Sequence, residues 1–177
     1  MQIIGGNMKI LLAAVIVFCL AFSVIGCNFV KDISDSAGKV KAKTFEFDGI
    51  SIELTTDFLR MDFLVEDYDF VVGNEDMAIM GTKILKDESG FDDYSLTEYA
   101  EYVYGEMEDL DPTGLTDVDG IPTVQYKSVE DGEEQTVVMM FYEGTGCFWV
   151  LYFGGDTNEV DAHYNDICTY AKSVKCD

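Results

Sequence analysis

The residues with the widest chemical range in this sequence are one histidine, His163, and five cysteines. Nucleophilic catalysis needs the imidazole to meet a nucleophile and a third group to orient the ring. Two thiols are nominal partners: Cys147 at the start of an apolar run, and Cys168, five positions after His163. On a helix, five positions is about 140° of rotation, which turns that thiol away from the ring. No G-x-S-x-G, H-E-x-x-H, phosphate-loop or C-x-x-C motif occurs, so none of the corresponding hydrolase, zinc, nucleotide or redox chemistries is announced. His163 follows Val160 by three residues and should sit, partly buried, at a helix edge. The expectation is therefore a protein that is not an enzyme and carries no cofactor. The alternative is a hydrolase whose site is assembled from scattered acids, which predicts two close carboxylates with raised pKa.

Acids are abundant. The chain carries 34 acidic against 11 basic side chains, a formal charge of −23. Such a field repels nucleic acid and anionic headgroups; the acids, spread along the chain, either keep a solvated surface soluble or attract cations or a basic partner. Asp109, Asp111, Thr113, Gly114 and Asp117 match positions 1, 3, 5, 6 and 9 of a calcium loop, but position 12 is Gly120 instead of the bidentate Glu, and Pro112 constrains the backbone. An EF-hand is excluded. A looser cation site drawn from Asp109, Asp111, Asp117 and Asp119 stays open beside the plain reading of a polar loop.

The remaining chemistry lies at the amino end. From Ile10 to Phe22 all thirteen residues are apolar, Lys9 precedes them, and no Asp or Glu occurs ahead of Cys27. A spanning helix needs roughly 20 apolar residues; a charged residue, a short apolar run and a small residue at the cut make a secretory signal. Val24-Ile25-Gly26-Cys27 resembles the lipobox of bacterial lipoproteins, with Val where Leu is usual and Ile where Ala or Ser is usual. The resemblance implies cleavage between Gly26 and Cys27 and a diacylglyceryl group on the Cys27 sulfur. Met8 begins a tidier version of the same signal. Two acyl chains anchor stably, at about 0.8 kcal/mol per buried methylene. The expected organisation is a lipoprotein signal peptide over 1–26, a lipidated cysteine and flexible tether over 27–43, and one domain over 44–177, held on the extracytoplasmic face of a cell membrane. Losing Lys9 would leave 10 basic and 34 acidic groups. The partners expected are the membrane, through lipid on Cys27, and an envelope protein or a cationic partner; nucleic acid is excluded.

The elements that must position these groups are legible from pattern. TFEFDGISIEL places Asp48-Gly49 between alternating segments, predicting a type I′ hairpin. Gly73-Asn74-Glu75 separates strands at 69–72 and 77–85. Ser95 and Glu98 form a capping box, and Leu96, Tyr99, Ala100, Val103 and Met107 then recur at the helical interval. Strands are expected at 121–130, 134–143 and 146–154. Asn158 is the expected cap of a last helix with Val160, Tyr164, Ile167, Ala171 and Val174 inward. CFWVLYF, 147–153, is apolar on both faces of its alternation, so both faces need covering. Helices on both sides of the sheet follow; a one-sided sandwich is the competing architecture. Trp149 and the tyrosines belong to the core in this reading rather than to an exposed ligand platform.

FEFDGISIELTTDF, SLTEY and AKSVK resemble segments of the PsbP-like family, which includes DcrB-type envelope lipoproteins. The resemblance covers about 44–177. It implies an α+β single domain, a mostly antiparallel sheet of about six to seven strands flanked by helices (an α/β/α sandwich), and an accessory, assembly or binding role. It carries over no active-site residue. Among Cys147, Cys168 and Cys176, bridges Cys147–Cys168 and Cys168–Cys176 are both open, as are three reduced thiols.

Overall fold

A computed structural model of the chain describes residues 41–61, 68–130 and 133–177. Gly26, Cys27, the signal and most of the tether lie outside the described residues.

Among the described residues, ten strands form two antiparallel sheets. The small sheet contains β1 (Ala42–Phe47), β2 (Ile50–Thr55) and β10 (Lys175–Cys176), in the order β1-β2-β10. The large one contains β3 (Leu59–Arg60), β4 (Phe70–Gly73), β5 (Ala78–Leu85), β6 (Leu115–Val118), β7 (Ile121–Glu130), β8 (Glu133–Gly144) and β9 (Cys147–Asp156). Its order is β3-β4-β5-β9-β8-β7-β6. The helices are α1 (Lys86–Ser89), α2 (Leu96–Gly105), α3 (Thr157–Ala162) and α4 (Tyr164–Ser173), with a 3-10 turn at Glu108–Leu110. Among the described residues no helix is long and apolar enough to cross a membrane.

The expected α+β single domain is present, and β9 shows why it has three layers. Residues 147–155 of this strand are all buried. Because successive side chains alternate across a strand, Phe148, Val150 and Tyr152 enter one core while Cys147, Trp149, Leu151 and Phe153 enter another. The first core is closed by α2 through Tyr99, Ala100 and Val103, with Met107 just beyond. The ring of Tyr99 stacks on Phe148, centroids 4.3 Å apart. The second core is closed by Phe45, Ile50, Ile52 and Leu54 of the small sheet together with Val160, Ile167 and Ala171 of α3 and α4. One cover is a helix; the other mixes a sheet with helices. The expectation of helices on both faces held, and the first hairpin adds a sheet to the second cover.

Three local expectations are corrected. The β1–β2 hairpin has the two-residue loop Asp48-Gly49, with Phe47 opposite Ile50, yet only Gly49 takes a positive φ, of 85°. A type I′ turn needs positive φ at both central residues, so this turn is of another type. The cap of the first C-terminal helix is Asp156, whose carboxylate accepts from Asn158 N at 2.9 Å; Asn158 lies inside α3. The expected single last helix is two, joined at His163 (φ −100°, ψ 13°). The capping box is as expected: Glu98 N donates to Ser95 Oγ at 3.3 Å and Ser95 N to Glu98 Oε2 at 2.9 Å. The bonds that the Glu98 carboxylate accepts from Ser95 N and, at 2.7 Å, from Ser95 Oγ lower its pKa.

Candidate functional site

Ligating groups converge where the β4–β5 turn meets the α3–α4 joint. Asn74 builds the turn by accepting from Asp76 N at 3.1 Å and Met77 N at 2.9 Å, an Asx turn in which the Asp76 side chain is part-exposed. The turn presses on β9 at Gly155, where a Cβ would lie 2.7 Å from the Asp76 carbonyl. Only glycine permits that approach. At the helix joint, His163 Nδ1 lies 2.9 Å from Asp166 Oδ2, and Nε2 lies 3.8 Å from Asp76 Oδ2. Asp76, Glu159 and His163 each offer a ligand atom within 4.8 Å of the others. This is the one such group found among the described residues.

The electrostatics follow from this crowding of acids. Its bond to Asp166 raises the His163 pKa; burial pulls the other way, and the Asp76, Asp166 and Glu159 charges add to the rise. Asp57 belongs to the same neighbourhood: Oδ2 accepts from Asn74 Nδ2 at 2.7 Å, and Oδ1, buried, has no hydrogen-bond partner. Burial works to raise its pKa, but the neighbouring Thr55 hydroxyl and Asn74 amide and the His163 charge hold it below the usual range. The hydrolase alternative predicted raised carboxylates. Among the described residues, the carboxylates that are displaced, Asp57, Glu98 and Glu134, are displaced downward.

His163 is at a helix edge as expected, with 37% of its side chain exposed. Glu159 and Asp166, four before and three after, were within reach of the sequence pattern, since such spacings share a helix face. Asp76 carries no local signal, because a turn far along the chain delivers it. The sequence-predicted acids lie elsewhere. Asp109 is in the exposed 3-10 turn, and Asp111 ends it at φ 46°. Asp117 accepts from Gly120 N at 2.8 Å, and Asp119 forms an ion pair with Lys172. These four do not converge as Asp76, Glu159 and His163 do. Cys147, Cys168 and Cys176 are free thiols. Trp149 is 1% exposed and belongs to the second core, so it offers no ligand platform.

No protein-family model matches the sequence, and no curated protein matches it either. Solved structures do resemble it. Cyanobacterial PsbP from Synechocystis (CyanoP) aligns with a TM-score of 0.54 at 14% identity, over 80% of this chain and 96% of its own. The Ran-binding protein Mog1p of Saccharomyces cerevisiae aligns with a TM-score of 0.52 at 14% identity, over 77% of this chain and 96% of its own. At such identities the likeness concerns the fold alone: the domain has a PsbP-like fold.

Proposed function

We propose that this chain is a lipid-anchored, non-catalytic binding module on the extracytoplasmic face of a cell membrane, where it binds or helps assemble another envelope component. The observation that carries this reading is the VIGC segment, ending at Cys27 behind thirteen apolar residues, set ahead of a PsbP-like sandwich. Mog1p, with the same fold, is a Ran-binding protein, so this sandwich serves protein binding in at least that case. The surplus of acids points to a partner with a basic surface. Crosslinking of the membrane-bound protein, followed by purification, tests this: a reproducible partner with a basic face is expected, and consistent absence of one across growth conditions contradicts it. The Cys27→Ser chain should be found in the aqueous fraction and lose that partner.

A second reading, capture of a divalent cation, is favoured by the convergence of Asp76, Glu159 and His163. One imidazole and two carboxylates suit a borderline ion such as Zn²⁺ better than calcium. Zinc should raise the unfolding midpoint of the parent chain and leave His163→Ala unchanged; equal midpoints with and without zinc remove this reading. The looser site at Asp109, Asp111, Asp117 and Asp119 is tested separately, by calorimetry with calcium at millimolar concentration, where absence of heat removes it.

A further inference from the structure

The last three residues of the chain are held in an unusual place for so short a terminal strand. Thr145 N donates to Asp177 O at 2.6 Å, Asp177 N donates to Gly49 O at 3.1 Å, and Cys176 stands opposite Ile50 in the small sheet. The chain end thus spans from the small sheet to the β8–β9 turn of the large one. At that turn Gly144 pairs with Cys147. A side chain starting at Gly144 would begin 2.9 Å from Cys147 Sγ and 3.5 Å from Cys176 Cβ. Two cysteines, 29 positions apart in sequence, therefore face the same small space, which a glycine keeps open. Both pack in the second core, whereas Cys168 is on the flank of α4 near Tyr164 and Lys172. Burial first, and the nearby Cys147 next, push the Cys176 thiol up to about 11.

We propose that Cys147 and Cys176 are the disulfide-forming pair of this chain, and that their bond ties the C-terminal strand to the centre of the large sheet. A strand of two residues adds little pairing of its own, and a cross-link there closes a loop containing α3 and α4. The oxidant is a small-molecule disulfide such as oxidised glutathione. Cys176, the more exposed of the two, attacks one glutathione sulfur as its thiolate and expels glutathione thiolate. Cys147 then attacks the Cys176 sulfur of the mixed disulfide and expels the second. The two cysteine protons end on the two released thiols, and the two electrons pass to glutathione. A thiol with so high a pKa is mostly protonated at neutral pH, so closure is slow in the folded protein and fast during refolding. The bond persists in an oxidising compartment and returns to two thiols in a reducing one.

The test uses the full-length chain in detergent, refolded with oxidised glutathione, alkylated with N-ethylmaleimide and mapped by peptide mass. A linked Cys147–Cys176 peptide with Cys168 alkylated is expected, with an unfolding midpoint several degrees higher than after reduction. Cys176→Ser, at the chain end, should abolish both the link and the shift, and Cys168→Ser should keep both. Alkylation of Cys147 and Cys176 after refolding, or a link that uses Cys168 instead, overturns the proposal.

Discussion

The two faces of the large sheet are covered in different ways. On the first, one ten-residue helix, α2, does the work with residues close together in sequence, capped by its own Ser95 and Glu98 and stacked on Phe148. On the second, the cover is assembled from both ends of the domain. β1 and β2 come from the start, α3, α4 and β10 from the finish, and Glu53 N donates to Ser173 Oγ at 2.9 Å to join them. The groups with the most chemical potential, His163, Cys147 and Cys176, belong to the second side. A locally built cover serves packing; a cover made of distant segments also brings together side chains that no local pattern could.

Truncating one anchor on each face is the strongest test of this contrast. Tyr99→Ala removes the stacked ring of the single-helix cover and should cost about 3–5 kcal/mol in chemical denaturation. Ile167→Ala, fully buried in α4, should cost about 3 kcal/mol and should also loosen the small sheet, as read by amide exchange of β1 and β2. If Ile167→Ala left that exchange unchanged, the second cover would not be one unit.

Removing a cap has a smaller effect and separates the faces further. Ser95→Ala should cost about 1 kcal/mol and speed exchange in α2 alone. Asp156→Ala should cost a similar amount, about 1 kcal/mol, but speed exchange in α3, α4 and β10 together. A response of α2 to Asp156→Ala would contradict the independence of the two covers.

The smallest effect is the titration of His163. Its folded pKa is raised above the ordinary value of about 6.5, so it binds its proton more tightly in the folded chain. The resulting stabilisation is fully present below about pH 6.5 and is lost as pH rises through the folded pKa. Ring-proton titration by NMR should give a value above that of a free histidine, and Asp166→Asn should bring it down. A midpoint at or below the free value would show that the acids around the ring do not act on it.

How far the sequence revealed these features follows the same division. The capping box and the stripe Tyr99, Ala100, Val103 announced α2 because capping and burial are both local. The two-faced apolar run 147–153 announced a strand covered on both sides. What no pattern announced were β3, β6 and β10, each four residues or fewer, whose pairing is decided by neighbours far along the chain. The cap moved from Asn158 to Asp156 because Asp and Asn, here two positions apart, can both cap, and β9 ends two residues beyond the expected 154. The Asp109 to Asp119 acids looked like a site because their spacing matched a template. In three dimensions Asp119 is engaged by Lys172, and the convergent acids are Asp76 and Glu159, of which only Glu159 was near His163 in sequence.

The proposed lipid on Cys27 would fasten this acidic domain, with its PsbP-like fold, to a membrane. The most direct measurement is the intact mass and amino-terminal sequence of the protein extracted from the cells that make it. A chain beginning at Cys27, carrying the added mass of a diacylglyceryl group and partitioning into detergent, is expected. A chain that partitions into water with residues ahead of Cys27 still attached contradicts it.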